Sequence, residues 1–306
     1  MNRQTLQNTR KMMKRNIALY VLLLPALVYI IIFHYWPIYG VQIAFRNFSF
    51  SKGITGSPFA GMKWFEFFFK SPMFETVVSN TIILNLYGLA AGFPMPIILA
   101  LMLHNVPNVR FRRTAQTITY LPHFISTVVV VAILSCFFSP STGFVAKAIQ
   151  NLTGFTDYYM ARPQYFRHMY VWSGIWKDMG WNSIIYMAAL TGINTELHEA
   201  AMIDGASKLQ RIRHVDIPGI MPTMVILLIM NAGSIMSTGF EKVYLMQNDL
   251  NVSVSEVIAT YTYKMGMISQ KYSYSAAIGL FNNVINFSML TLVNFLSRKL
   301  SETSLW

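Results

Sequence analysis

Long apolar stretches, separated by shorter polar ones, run through most of this chain. Each has about 20 residues or more, enough for a helix to cross a hydrocarbon core of roughly 30 Å. Because unpaired backbone polar groups are costly in lipid, these stretches are expected to be helical. The pattern predicts six membrane-spanning helices at 17–43, 77–103, 115–139, 170–192, 220–240 and 276–297.

The composition supports this membrane interpretation. The 306 residues are 54% hydrophobic and only 12% charged, with a mean hydropathy of +0.42. A soluble domain carries about a quarter charged residues, so an all-α integral membrane protein is predicted. No second soluble domain is indicated, because the stretches between the spans reach only roughly 30 residues and contain no low-complexity tract.

The basic residues predict the orientation in the membrane. The segment before residue 17 contains five basic residues and no acidic one: Arg3, Arg10, Lys11, Lys14 and Arg15. Lys and Arg are enriched in cytoplasmic segments, so residues 1–16 are predicted to be a cytoplasmic basic tail, and six spans then place both termini in the cytoplasm. Topology also explains the excess of 24 Lys and Arg over 12 Asp and Glu without nucleic-acid binding.

No catalytic or metal-binding pattern is recognisable in the sequence. The absence of any Gly-Lys dipeptide excludes a Walker A phosphate loop. His198 and Glu199 begin like a zinc-binding HExxH motif, but Met202 occupies the position of the second histidine. A single cysteine, Cys136, excludes an intrachain disulfide. We therefore expect a non-catalytic chain with no metal site and no cofactor of its own.

Polar and aromatic side chains within the spans are candidates for a solute path. Amide and carboxylate groups bind sugar hydroxyls, and aromatic rings pack on sugar C–H faces, so the mixture suits a saccharide. Hydrogen bonding between helices is the alternative role for the asparagines. The candidates are Trp172, Trp176, Lys177, Asp178, Trp181, Asn182 and Tyr186 in the fourth span, Asn231 and Glu241 at the fifth, and Asn282, Asn283 and Asn286 in the sixth.

Two adjacent charges in the fourth span bear on the mechanism. Lys177 and Asp178 diverge by about 100° on a helix and do not simply neutralise each other, so one of them is expected to meet another helix or the solute. An ion-coupled secondary transporter, the alternative class, usually places carboxylates mid-membrane within inverted repeats. Here the spans offer essentially Asp178 and Glu241.

A polar segment, residues 193–219, separates the fourth and fifth spans. Thr195 can cap a short helix at its start, and acidic residues follow in the first turn, where the helix dipole favours them. Gly205 supplies the left-handed residue that commonly ends a helix, so the chain can turn sharply there.

A second short helix is predicted after that turn. Ser207 and Gln210 have the spacing of a capping box, which favours a helix start. Pro218 and Pro222 are expected to limit how far this helix runs. The segment is therefore predicted to be a helical hairpin on the cytoplasmic side.

The same segment resembles the EAA loop of bacterial ATP-binding-cassette (ABC) import permeases. The family pattern is Glu-Ala-Ala, three residues, Gly, nine residues and Ile-x-Leu-Pro. This chain has Glu199-Ala200-Ala201, Gly205 and Val215-Asp216-Ile217-Pro218 at those spacings. Its two departures, Val215 for Ile and Ile217 for Leu, exchange one apolar residue for another.

The resemblance implies that this segment is the coupling helix, which sits in a cleft of a separate cytoplasmic ATPase. The residues expected to couple to that ATPase are Glu199, Ala200, Ala201, Asp204, Gly205 and Pro218. ATP and Mg²⁺ are then bound by the ATPase and not by this chain.

Two further stretches resemble the sugar-permease branch of these importers. They are NIALYVLLLPALVYIIIFHYWPIYGVQIAFRNF and FAGMKWFEFFF. They are most similar to permeases taken to import oligosaccharides, including acidic ones from alginate or pectin. The resemblance implies a six-span type I ABC importer permease domain over residues 17–306 in a bacterial plasma membrane. An ABC import permease for a non-sugar solute is the alternative.

The resemblance also implies a set of partners. These are a second, homologous permease, two copies of the ATPase, an extracytoplasmic solute-binding protein, the oligosaccharide and membrane lipid. Basic residues in the predicted outer segments would attract an anionic sugar, or equally lipid head groups or the delivery protein.

Overall fold

The computed structural model describes Met12 and residues 15–301, with the side chains of residues 300 and 301 left out. Four residues of the predicted basic tail, Arg3, Arg10, Lys11 and Lys14, lie outside the described part. Within that part the chain forms helices and no strand, apart from two isolated β-bridges. The prediction of an all-α protein is confirmed.

The helices are numbered here in chain order. The first half contains α1 (Ile17–Ile30), α2 (Gly53–Gly56), α3 (Lys63–Phe69), α4 (Met73–Gly92), α5 (Pro94–His104), α6 (Val109–Tyr120), α7 (Thr127–Phe137) and α8 (Phe144–Thr153). The second half contains α9 (Pro163–Thr191), α10 (Thr195–Ile203), α11 (Lys208–Arg211), α12 (Ile217–Gly233), α13 (Phe240–Met246), α14 (Val252–Ser255), α15 (Ile258–Tyr263) and α16 (Tyr272–Ser301). Turns of 3₁₀ or π helix lie at Ile31–Tyr35, Trp36–Phe45, Leu121–Phe124, Ile212–Asp216 and Lys264–Ile268.

Four helical stretches in the described part are long and apolar enough to cross a membrane. They are Ile17–Phe45, Met73–His104, Lys208–Gly233 and Tyr272–Lys299, which correspond to predicted spans one, two, five and six. The predicted fourth span lies in α9, which has 29 residues but carries charged side chains that make it less apolar. The count of six spans therefore stays a prediction.

The predicted third span, 115–139, is not one straight helix. Val109–Phe124 and Thr127–Phe137 meet at an angle of 99°. Pro122 lies in the 3₁₀ turn before the break. Ser126 then has an extended backbone and accepts a hydrogen bond from a backbone N–H of α7 at 3.4 Å. This cap starts a new helix in a new direction, which explains the bend.

The prediction that prolines limit the second short helix of the polar segment is wrong. α11 continues through the π-helical turn into α12 without a break. Pro218 directly follows the π-helical turn Ile212–Asp216, and Pro222 lies inside α12, so neither proline ends the helix. α12 instead ends at Gly233, seven residues before the predicted limit of 240.

The connection before α9 is fixed by a buried carboxylate. Asp157 accepts hydrogen bonds from the Tyr158 N–H and from Arg162 Nε, each at 2.8 Å. Burial acts to raise the pKa of Asp157, but these two donors outweigh it and hold the pKa below its usual value. The resulting contribution to stability is present at neutral pH and is lost as the pH falls through that lowered pKa.

α9 is the central helix of the fold and packs against α4, α5, α6, α12 and α13. Gly180 lies where α9 crosses α6, and a Cβ there would come within 2.0 Å of the Thr119 carbonyl oxygen. Gly180→Ala is therefore expected to force two backbones apart, at a cost of about 1–3 kcal/mol or more. The measurement is the melting temperature and the monodisperse yield of the protein in detergent.

Gly88→Ala is the matched control, because a Cβ at Gly88 would meet no atom within 4 Å. We expect its yield and melting temperature to equal those of the wild type. Equal behaviour of the two variants would contradict the close approach of α6 and α9.

α1 packs few of its residues into the fold. None of its residues is buried, and side chains such as Leu22 remain 77% exposed. Exposed apolar surface of this extent must be covered by lipid or by another protein chain.

Candidate functional site

The polar segment of residues 193–219 begins with a capped helix. The side chain of Asn194 accepts a hydrogen bond from the Glu196 N–H at 3.0 Å and caps α10. The prediction of Thr195 as the cap is wrong, because Asn194 has the extended backbone of a cap and Thr195 is already helical. An amide cap meets the same need for an acceptor at the helix start.

A tight turn links α10 to α11. Gly205 has φ of +77°, so the predicted left-handed residue is confirmed. The Ala206 N–H donates to the Ala201 carbonyl at 2.8 Å and closes the turn. The predicted capping box is also present, since the Ser207 N–H donates to the Gln210 side chain at 2.7 Å and the Ser207 hydroxyl accepts from the Gln210 N–H.

The six residues expected to couple to the ATPase lie at or near the surface of this hairpin. Glu199, Ala200, Asp204, Gly205 and Pro218 are exposed and Ala201 is half-buried. Four apolar side chains are exposed near them: Leu197, Met202, Ile203 and Leu209. Exposed apolar side chains grouped on one short hairpin indicate a surface that another protein covers.

The base of the hairpin is tied to the end of α5. Asp216 is 1% exposed, and its Oδ1 lies 3.2 Å from His198 Nε2. Asn105 donates from Nδ2 to Asp216 Oδ2 at 3.5 Å, and its own carbonyl accepts from Lys208 Nζ at 2.8 Å. The hairpin is therefore linked to α5 by polar contacts that the sequence could not reveal, because they join residues about 100 positions apart.

A cavity of about 940 Å³ lies among α4, α5, α9 and α12. Binding sites for small molecules commonly enclose about 300–1,000 Å³, so this cavity is large enough for a solute. Six of the predicted solute-path residues line it: Lys177, Asp178, Trp181, Asn182, Tyr186 and Asn231.

The other six predicted residues do not line this cavity: Trp172, Trp176, Glu241, Asn282, Asn283 and Asn286. Trp172 Nε1 donates to the Tyr87 hydroxyl at 2.9 Å. Asn286 accepts from the Met236 N–H at 2.9 Å and donates to the Ser237 hydroxyl at 2.8 Å. The two contacts of Asn286 hold the chain beyond α12 against α16, which is the role in hydrogen bonding between helices that was the alternative for the asparagines.

Asp178 is held by the bent segment between α6 and α7. Its Oδ1 lies 2.9 Å from His123 Nδ1, and the His123 ring stacks on Trp181 with centroids 4.6 Å apart. The expectation that one member of the Lys177–Asp178 pair meets another element is confirmed. Lys177 lines the cavity and its side chain has no hydrogen bond or ion pair within the described residues.

A second lysine that the sequence analysis missed also lines the cavity. Lys242 Nζ donates to the Tyr170 carbonyl at 2.7 Å and lies 4.7 Å from the centre of the Tyr170 ring. Lys177 and Asp178 line the same cavity. With two lysines and one aspartate, the cavity carries net positive charge, which favours an anionic solute.

The location of Lys242 explains why it was missed. It lies two residues beyond the predicted end of the fifth span, in a stretch expected to be outside the membrane. Because α12 ends at Gly233, the chain folds back and α13 (Phe240–Met246) brings Lys242 to the cavity. The sequence offered one signal for this position, because Lys242 directly precedes the apolar residues Val243–Met246.

Comparison with known proteins establishes the family. A family model described as "Binding-protein-dependent transport system inner membrane component" matches residues 92–302. The chain belongs to this family. Two relatives of this chain match it over nearly its full length and support its place in the family. Protein LplB of Bacillus subtilis (strain 168) is 40% identical over 294 residues, 96% of this chain and 92% of LplB.

The second relative is the polygalacturonan/rhamnogalacturonan transport system permease protein YteP, also of Bacillus subtilis (strain 168). It is 36% identical over 288 residues, 94% of this chain and 90% of YteP. As a member of this family, the chain is a multi-pass inner membrane component of a transporter and not an enzyme. The ion-coupled alternative is thereby set aside.

Solved structures agree with the transport component's fold. One is the crystal structure of a bacterial ABC transporter involved in the import of the acidic polysaccharide alginate. A chain of that transporter is 37% identical with a TM-score of 0.89, over 96% of this chain and 99% of that chain. The same values hold for a chain of the alginate transporter in complex with an alginate pentasaccharide-bound periplasmic protein. The predicted ABC importer permease fold is confirmed.

Proposed function

We propose that this chain is the permease subunit of an ATP-driven importer for acidic oligosaccharides of the alginate- or pectin-derived kind. The observation that carries this proposal is the cavity, which combines two lysines with aromatic and amide side chains. The transport systems named for YteP and for the alginate structure act on acidic polysaccharides, which supports the same substrate class.

Each chemical feature of a uronic-acid oligomer has a counterpart in the cavity. Lys177 and Lys242 attract the carboxylates, and their side chains are the basic groups that line it. Trp181 lines the cavity with one face stacked on His123, and its remaining indole surface can pack on the apolar C–H side of a sugar ring. Asn182 and Asn231 supply amide donors and acceptors for hydroxyl groups.

The hairpin of residues 193–219 provides the coupling in this proposal. Its exposed apolar and acidic side chains enter a cleft of a cytoplasmic ATPase, of which two copies bind ATP and Mg²⁺. Closure of the ATPases moves the hairpin, and through its ties at Asp216 and Asn105 the motion reaches α5 and α12. The cavity then alternates between the two sides of the membrane.

The remaining partners follow from the same proposal. A second, homologous permease completes the pathway, and a solute-binding protein delivers the sugar from outside. The exposed face of α1 is covered by the second permease or by lipid. Both termini lie in the cytoplasm, on the side of the hairpin.

Glu199 gives a direct test of coupling. It is exposed, and its side chain has no hydrogen bond or ion pair within the described residues, so its replacement should leave the fold intact. Glu199→Lys is expected to lower sugar-stimulated ATP hydrolysis about 100-fold, or roughly 3 kcal/mol, because it reverses a charge at a protein interface. The readout is phosphate release by the reconstituted complex.

The matched pair for this test is Glu199→Gln and Glu196→Gln, which make the same change one turn apart on α10. We expect Glu199→Gln to weaken stimulation and Glu196→Gln to retain it. Normal stimulation in Glu199→Lys, with an assembled complex, would remove Glu199 from the coupling surface.

Substrate-stimulated ATP hydrolysis tests the proposed function as a whole. This chain is reconstituted with its partner permease, ATPase and solute-binding protein, and neutral and uronic-acid oligosaccharides of equal length are added in turn. Stimulation by the uronic-acid oligomers alone is the expected result. Equal stimulation by neutral oligomers would reject the acidic substrate, and no stimulation by any sugar in an active complex would favour a non-sugar solute.

A further inference from the structure

Three metal-ligating side chains meet at the base of the hairpin. His104 is the last residue of α5, His198 lies on α10, and Asp216 ends the π-helical turn before α12. One donor atom from each lies within 4.8 Å of the other two. No sequence motif marks this cluster, because His104 and His198 are far apart in the chain and approach only in the fold.

Asp216 supplies an independent sign that this cluster is incomplete. Its Oδ2 faces the Asn105 amide, but its buried Oδ1 accepts no hydrogen bond from any described residue. His198 Nε2 is 3.2 Å from Oδ1 without the alignment of a hydrogen bond. A buried carboxylate oxygen without a donor is costly, and a bound cation would remove that cost.

The spacing of the donor atoms fits a first-row divalent cation. Zinc binds histidine nitrogen and carboxylate oxygen at about 2.0–2.2 Å, which places neighbouring ligands of a tetrahedral ion roughly 3.3–3.5 Å apart. The separation of 3.2 Å between His198 Nε2 and Asp216 Oδ1 is close to that value. A donor atom of His104 lies within 4.8 Å of the other two, so its imidazole would have to move closer to complete the set.

We propose that His104, His198 and Asp216 form a binding site for a divalent transition-metal ion of the zinc class. Two imidazoles and one carboxylate are a ligand set that such ions prefer, and they leave a fourth position for water. Both histidines are half-buried, so an ion can reach the site from the aqueous side. Asn105 orients the carboxylate through its contact with Oδ2.

A bound ion would clamp the hairpin to the membrane helices. The three ligands come from α5, α10 and the turn before α12, so the ion would cross-link the elements through which the hairpin's movement must pass. The proposal that an ion binds depends only on the three ligand side chains. Its effect on ATP hydrolysis rests on the proposed coupling, and the two are measured separately.

The competing interpretation is a simple ion pair between a protonated His198 and Asp216. An ion pair of this kind needs no His104, whereas the metal site does. His104→Gln therefore separates the two interpretations without disturbing the buried carboxylate. His214→Gln is the matched control, because His214 is an exposed histidine near the end of the same hairpin, and its Nδ1 lies 2.9 Å from the Gln210 carbonyl oxygen.

The test uses the full complex of this chain with its partner permease and ATPase, purified without a polyhistidine tag. Zn²⁺ binding is measured by competition with a chromophoric chelator, and Co²⁺ is substituted to read the coordination from its visible spectrum. Wild type and His214→Gln are expected to bind one more equivalent of Zn²⁺ than His104→Gln, or to bind it at least tenfold more tightly. A tetrahedral Co²⁺ spectrum that is absent in His104→Gln is expected as well.

Identical Zn²⁺ binding and Co²⁺ spectra in wild type and His104→Gln would overturn the proposal. If His104→Gln assembles poorly, His198→Gln replaces it as the ligand variant with the same expected loss. ATP hydrolysis is then measured with and without Zn²⁺. A change confined to the wild type and His214→Gln supports the clamp, whereas binding without any change keeps the metal site and rejects its action on coupling.

Discussion

Replacing Gly205 with valine is expected to abolish sugar-stimulated ATP hydrolysis while leaving the chain in the membrane. Gly205 has φ of +77°, and a Cβ there would meet no atom within 4 Å. The cost of the substitution is therefore backbone strain and not a clash. For a β-branched residue we expect about 1–2 kcal/mol or more, which is enough to shift a short exposed turn to another conformation.

The control for this variant is Gly205→Asn, because asparagine adopts the left-handed conformation more readily than other residues with side chains. We expect Gly205→Asn to retain most of the stimulation, measured in the same reconstituted complex. Similar loss in both variants would mean that the ATPase tolerates no side chain at this position. Full activity in Gly205→Val would contradict the role of the turn in coupling.

Reversing the charge of Lys242 is expected to have an equally large effect on substrate choice. Lys242→Glu changes the cavity from two cations and one anion to one cation and two anions. At an effective dielectric constant of about 20, one charge pair at about 4 Å is worth roughly 4 kcal/mol. We expect uptake of uronic-acid oligomers to fall about 100-fold or more, with a much smaller effect on any residual uptake of neutral oligomers.

Two further variants show whether the effect comes from charge. Lys242→Gln removes the charge but keeps a donor near the Tyr170 carbonyl, so an intermediate loss is expected. Arg110→Glu also replaces a cation with an anion, at the exposed start of α6 in the connection between predicted spans two and three, where it does not line the cavity, and it should transport normally. Normal uptake of acidic oligomers by Lys242→Glu would exclude Lys242 from the solute path.

The sequence predicted the helical fold because its apolar stretches match the thickness of a membrane. Their limits failed where a local polar interaction decided the outcome. Ser126 caps a new helix and bends the third predicted span by 99°. The Asn286 side chain accepts a hydrogen bond from the Met236 N–H just beyond the end of α12, and these two residues are 50 positions apart in the chain. Neither interaction can be inferred from the mean hydropathy of a stretch of sequence.

The hairpin was predictable because its determinants are local. The left-handed turn at Gly205 and the capping box of Ser207 depend on residues within a few positions of each other. The cavity was only half predictable, since six of the twelve proposed residues line it. Lys242 and the cluster at Asp216 depend on how distant segments meet, so only the fold reveals them.

The most direct test of this account is the ATP-dependent accumulation of a labelled uronic-acid oligosaccharide in proteoliposomes. The vesicles contain the complete complex, with the loaded solute-binding protein on the opposite side from ATP. We predict accumulation that requires ATP and the ATPase subunit and greatly exceeds that of a neutral oligomer of equal length. Accumulation that persists without the ATPase, or that is equal for the neutral oligomer, would contradict the account.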